Sequence, residues 1–178
     1  SDDAHPLQAL ADLLTITDEF GERDDLEVAY IGDANNVARS LALACGLAGI
    51  AIRVASPDGY GFSQSDAERL ERNGVRMRVT DDPGEAVAGA DVVYTDVWAS
   101  MGQEAEAEAR QVSFEGFTVD DAMMKSAGPD AVFLHCLPAH RGQEVSASVV
   151  DGPRSRVWPQ AANRMRAARG ALQWLVTR

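Results

Sequence analysis

Lysine is almost missing from this chain of 178 residues: of the 16 basic residues only Lys125 is a lysine, and the rest are arginines. With 28 acidic residues the balance is −12, which excludes non-specific nucleic-acid binding and docking on an anionic membrane surface. Excess carboxylate with so little lysine suits a salt-rich cytoplasm, and a GC-rich genome would exchange Lys for Arg in the same way. Cysteine is scarce too. Cys45 and Cys136 fall in a helix and at a strand end, so no disulfide framework is expected and a reducing cytoplasm is the default compartment. No apolar run reaches the length of a membrane span, and the N-terminus lacks the basic-then-apolar pattern of a signal peptide. There is no internal repeat, low-complexity tract or linker, so one domain is expected.

What is present is an alternation of short apolar runs with amphipathic stretches. The patterning predicts strands over 26–33, 50–55, 75–79, 91–96 and 131–136, a helix capped by Asn35-Asn36 that runs through 37–45 to Gly46-Leu47-Ala48-Gly49, and further helices over 63–73, 83–88, 118–126 and 157–176. Pro6 in a first turn, with Asp2 or Asp3 as cap, predicts a further helix whose apolar face is Leu7, Leu10, Leu13, Leu14 and Ile16. A helix with such a face so near Ser1 normally continues from something, so an upstream portion is expected. Residues 97–117 read as a long irregular segment, of a length usually reserved for function. Thr118 is expected to cap the next helix. The closing helix carries apolar Met165, Ala168, Leu172 and Leu175. Five strands separated by helices demand right-handed crossovers, hence an α/β, doubly wound, mostly parallel five-stranded sheet with helices on both faces, Rossmann-like in form.

Chemistry gathers at three strand ends. Gly32-Asp33-Ala34-Asn35-Asn36 sits where a dinucleotide fingerprint would sit but lacks its second and third glycines. Its amides could hold a ligand carboxylate or amide at a helix N-terminus, or could simply cap the helix. Asp96 leaves the fourth strand ahead of Trp98-Ala99-Ser100-Met101-Gly102, as partner for a ligand ammonium or as a plain strand-end cap. His135-Cys136-Leu137-Pro138-Ala139-His140-Arg141-Gly142 leaves the fifth. Adjacent strand residues point to opposite faces, so one tetrahedral metal site is not expected to use both His135 and Cys136. A cysteine there is a packing residue unless a charged partner sits beside it. Neighbouring fourth and fifth strands would bring Asp96 and Cys136 to one rim.

His5-Pro6-x-Gln8, Asp96-x-Trp98-x-Ser100-Met101-Gly102 and His135–Gly142, in that order, resemble ornithine carbamoyltransferases, as do Asp33-x-Asn35-Asn36-Val37-x-x-Ser40 and Asn163-Arg164. The resemblance spans the whole chain but only the second half of a family member, the ornithine-binding domain. It implies that residues 1–20 and 157–178 are interdomain helices and that a carbamoyl phosphate-binding domain, with its Ser-x-Arg-Thr loop, belongs upstream. It also implies roles. Asn36, Asp96, Ser100 and Met101 would bind ornithine, and His5, Gln8, Cys136, Leu137 and Arg164 would hold carbamoyl phosphate. Asp96 and Cys136 would meet the δ-amine as the catalytic pair, with no cofactor and no metal. The reaction would carry the carbamoyl group to ornithine, giving citrulline and phosphate, and this chain alone would not turn over. Family members form trimers largely through the first domain, so this piece is expected to be a monomer or weakly associated, with an apolar stripe exposed on its first or last helix. The family tail usually reads Glu-Ala-Glu-Asn-Arg-x-His, whereas here it is Gln160-Ala161-Ala162-Asn163-Arg164-Met165-Arg166. Another amine carbamoyltransferase, and a non-catalytic Rossmann-type ligand module, are the competing readings.

Overall fold

Five strands, β1 (Glu27–Ile31), β2 (Ala51–Ala55), β3 (Met77–Thr80), β4 (Val92–Thr95) and β5 (Val132–His135), form one sheet in the order β3-β2-β1-β4-β5. Every pairing is parallel. The computed structural model describes residues 3–23, 25–99 and 107–177. Strands β4 and β5 are buried along their whole length, whereas the edge strand β3 is half open and leaves Val79 53% exposed. That difference explains the sequence pattern: a parallel strand covered on both faces reads as a continuous apolar run, and one covered poorly alternates.

Eight helices follow in chain order among the described residues: α1 (Pro6–Phe20), α2 (Asn36–Leu47), α3 (Gln64–Arg72), α4 (Pro83–Val87), α5 (Ala107–Ser113), α6 (Asp121–Ser126), α7 (Ala147–Val150) and α8 (Val157–Val176). They divide the core in two. Val28, Tyr30, Val54, Tyr94 and Leu134 meet α1, α2 and Leu70 of α3 on one face. Ala29, Ile31, Val93 and Phe133 meet α4, α6, α7 and Phe114 on the other. The expected doubly wound α/β sheet is the fold observed. From β1 the chain winds outward to β2 and β3, then returns to place β4 against the other side of β1. At such a reversal the connections leave in opposite directions and open a crevice at the carboxyl ends of the strands.

Several local expectations need correcting. Residues 97–117 are not wholly irregular, since they contain α5. Thr118 does not cap α6; Asp120 does, accepting the Met123 N–H, while the Thr118 hydroxyl donates to the Gln143 carbonyl. Asp3 does not cap α1 either: His5 holds the N-cap position, and no side chain bonds the first turn there. Asp2, the other candidate cap, lies outside the described residues.

The two terminal helices bury a mostly polar row and expose much of their apolar side, with Ile16 buried and Leu13 half-buried against the core. In α1 the buried row is Gln8, Ala9, Ala11, Asp12, Thr15 and Ile16, while Leu7 and Leu10 are exposed. In α8 Gln160 and Asn163 are buried and Met165, Leu172 and Leu175 are exposed. The reason is a polar seam between the helices. Gln160 Nε2 donates to Asp12 Oδ1 at 2.7 Å, and Asn163 Nδ2 donates to Thr15 Oγ1 and Asp18 Oδ2, each at 3.0 Å. Buried polar groups that satisfy one another pack as well as apolar ones, which hydrophobic periodicity cannot register.

Candidate active site at the carboxyl edge of the sheet

The rim is assembled from the ends of β1, β4 and β5. Beyond β1 the backbone turns at Gly32, whose φ of +140° suits glycine, and reaches Asn35, the N-cap of α2. The two ends of the Asn35 amide do different work. Its Oδ1 accepts the N–H groups of Val37 and Ala38, and its Nδ2 donates to Asp96 Oδ2 at 2.9 Å. At the end of β4 the Thr95 hydroxyl donates to the Ile31 carbonyl at 2.6 Å, stitching the two strands where the crevice opens.

Thr95 pairs with His135 in the β4–β5 register, so the next rung sets Asp96 beside Cys136. The Cys136 thiol donates to Asp96 Oδ1 at 2.9 Å, and the Val97 N–H donates to the same oxygen at 2.8 Å. Burial, and then the neighbouring Asp96 charge, push the Cys136 thiol well above the usual range. The sulfur therefore stays protonated. It is a hydrogen-bond donor held on a carboxylate, not a nucleophile.

His135, one residue earlier, is fully buried. Its Nδ1 accepts the Leu137 N–H at 2.8 Å and its Nε2 lies 3.3 Å from Glu144 Oε1. Asp96, His135 and Cys136 bring one ligand-type atom each within 4.8 Å of one another, closer than strand alternation predicts, because residue 136 lies past the last ladder pair. A metal there would have to displace the bond at one imidazole nitrogen and the thiol's bond to Asp96.

His5 stands at the mouth. Its N–H donates to Ser40 Oγ at 2.8 Å, and Ser40 Oγ donates to the Asn36 carbonyl at 2.7 Å, tying the start of α1 to the start of α2. Burial first, then the Arg164 charge, lower its pKa and favour the neutral imidazole. His5, Asn36, Asp96, Cys136, Leu137 and His140 line one open cavity of about 430 Å³. Cys136, Leu137 and Pro138 also line a second, of about 520 Å³, with Trp158, Ala161 and Arg164. The Leu137–Pro138 turn is thus a divide, with the Asp96 carboxylate on one side, the Arg164 guanidinium on the other and Cys136 bordering both.

Of the residues singled out in the sequence, Asp96, Cys136, Asn36, His5 and Leu137 share the first cavity, and Arg164 stands across the divide. Gln8 lines neither cavity. It is buried under the rim, its amide nitrogen donating to Asp12 Oδ1 at 2.8 Å and its Oε1 without a partner among the described residues. Ser100 and Met101 lie outside the described residues. The altered tail is also placed: Gln160 is internal and takes the His135 N–H on its Oε1, while Ala162 and Arg166 are exposed. Sequence reasoning missed three elements of the site. Asn35 was read only as a cap, although a cap amide always has a second end. Arg110, inside the segment read as irregular, donates to Asp33 Oδ2 and the Trp98 carbonyl. Glu144 gave no sequence signal at all.

A doubly wound parallel sheet with a carboxylate, a thiol and an amide converging at its point of strand reversal defines an α/β domain built to hold a small polar ligand. The family is more specific: residues 24–175 match the aspartate/ornithine carbamoyltransferase Asp/Orn binding domain, and the chain belongs to that family. It is 52% identical over 180 residues to an ornithine carbamoyltransferase of Acidothermus cellulolyticus, covering 99% of this chain and 58% of that protein. The ornithine carbamoyltransferase of Pyrococcus furiosus superimposes with a TM-score of 0.90 at 47% identity, over 97% of this chain and 56% of the other. The anabolic enzyme of Campylobacter jejuni superimposes with a TM-score of 0.94 at 36% identity, over 99% and 60%. The chain spans somewhat over half the length of these relatives.

Proposed function

We propose that this chain is the amine-binding part of an ornithine carbamoyltransferase, acting with a carbamoyl phosphate-binding domain to convert ornithine and carbamoyl phosphate to citrulline and phosphate. The family admits either aspartate or ornithine, and one observation favours ornithine: the cavity holding Asp96 is lined by no arginine or lysine among the described residues. A second substrate carboxylate would meet only repulsion there, whereas a side-chain ammonium gains a counter-charge.

Asp96 draws the δ-ammonium to the rim, with Asn36 on the amino-acid end of the substrate; Ser100 and Met101 belong to that end by family resemblance. An ammonium has no lone pair to give, so the amine must shed a proton before its nitrogen attacks the carbonyl carbon. Attack forms the N–C bond and moves the carbonyl π pair onto oxygen. Collapse of this tetrahedral adduct breaks the C–O bond to phosphate, and the nitrogen gives its remaining extra proton to the departing phosphate. Cys136 and the Leu137 carbonyl orient the carbamoyl group, neutral His5 donates toward it, and Arg164 faces the phosphate side; Gln8 belongs to the carbamoyl end by family resemblance. Alignment of two reactants on one rim accounts for much of the rate. Donors for the developing oxyanion come largely from the other domain.

Assayed with a carbamoyl phosphate-binding domain, the protein should carbamoylate ornithine and leave aspartate untouched. Carbamoyl aspartate as the sole product would overturn this reading. The chain by itself should form no citrulline.

A further inference from the structure

We propose that His135 and Glu144 are a positioning pair for this reaction, a neutral imidazole locked in one tautomer by a buried carboxylate so that it holds the Leu137 peptide on the rim. The inference rests on the functional reading above for its kinetic part and on geometry alone for the rest. Leu137 has φ +60°, a left-handed conformation that a side chain branched at Cγ adopts only under constraint. The constraint is visible. The Leu137 N–H can only donate, and it points at His135 Nδ1 at 2.8 Å, so that nitrogen must carry the lone pair and Nε2 the proton. Nε2 faces Glu144 Oε1, which also accepts the His140 N–H at 2.5 Å, while the Gly142 N–H closes the loop on the Val145 carbonyl at 2.8 Å.

Glu144 and His135 have fully buried side chains, and neither lines the two cavities at the rim. Glu144 Oε2 has no hydrogen-bond partner among the described residues, with His140 Nδ1 3.8 Å away. A buried acid held this incompletely is poor value for stability alone. It makes sense as the group that fixes which imidazole nitrogen is protonated. Reversing the tautomer would set two N–H groups against each other at Leu137 and release the segment 136–138, which lines both cavities. His135 therefore acts on substrate through Leu137 and not by touching it.

Two measurements test this. In the unmodified chain, long-range proton–nitrogen correlation spectra should show His135 with a bare Nδ1 and a protonated Nε2, and a Leu137 amide that exchanges slowly; a proton on Nδ1 overturns the proposal. In kinetics with the carbamoyl phosphate-binding domain present, His135→Asn keeps an acceptor near the Nδ1 position, whereas His135→Gln keeps a group for Glu144 but withdraws the acceptor from Leu137. The Gln variant should lose about a hundredfold in kcat with ornithine KM little changed, and the Asn variant should stay within about tenfold of the parent. Equal losses, or the opposite order, contradict the positioning role. A parent protein that carbamoylates no amine would sink the functional reading and the kinetic role, while the tautomer would still be decided by the spectrum.

Discussion

Cys136 illustrates how an environment decides what a residue can do. The same thiol in water would be partly ionised near neutral pH and reactive, but buried against Asp96 it is held as S–H. Native Cys136 should therefore resist alkylation at pH 8. Asp96→Asn removes the charge that opposes ionisation, so it should speed alkylation severalfold, and an unchanged rate would contradict this. Asp12 shows the opposite balance. Burial raises its carboxyl from 3.8 to about 7, with the Gln160 and Gln8 amides and the Tyr94 hydroxyl pulling the other way. The folded chain thus binds this proton more tightly than the unfolded chain does. The stabilising contribution is complete below about pH 4 and is lost as pH rises through 7, a difference on the order of 4 kcal/mol. Asp12→Asn should flatten the dependence of Tm on pH between 5 and 8; an equal slope in the two proteins would refute the assignment.

At the scale of elements, the strands were legible because burial on both faces writes itself as apolar runs, and all five fall within a few residues of where the patterning puts them. The adjacency of Asp96 and Cys136 was legible too, since a right-handed doubly wound sheet leaves few places for the fifth strand. Less visible were α5 and α7, too short to show a period, and the polar seam of α1 and α8, where Gln8, Asp12, Gln160 and Asn163 occupy positions that patterning reserves for leucine. The hold on the 107–117 segment was invisible for another reason: it depends on Arg110 reaching Asp33 at 2.5 Å and stacking 5.0 Å from the Tyr60 ring, contacts that span 77 and 50 residues of sequence. Arg110→Ala would leave Asp33, whose pKa burial already raises, without that counter-ion. It should cost about 3 kcal/mol and accelerate hydrogen exchange through 107–117 while β1 and β4 keep their protection. Unchanged protection of that segment would show that the pair holds nothing.

For the molecule as a whole, the sheet sets the rim that gathers Asp96 and Cys136, and the terminal helices carry the exposed apolar surface. Leu7 and Leu10 of α1, and Trp158, Met165, Leu172 and Trp174 of α8, are exposed, the apolar stripe expected on the terminal helices. Trp158 of that stripe shares a cavity with Arg164, which family resemblance sets toward carbamoyl phosphate. A site that holds the amine on Asp96 and needs a second domain for the carbamoyl donor accounts for both features. The most direct test is kcat/KM for ornithine in Asp96→Asn, assayed with a carbamoyl phosphate-binding domain and a folded, cooperatively melting variant. If Asp96 grips the reacting amine, the value falls by at least about a hundredfold. A value within threefold of the parent would mean that the amine is held elsewhere.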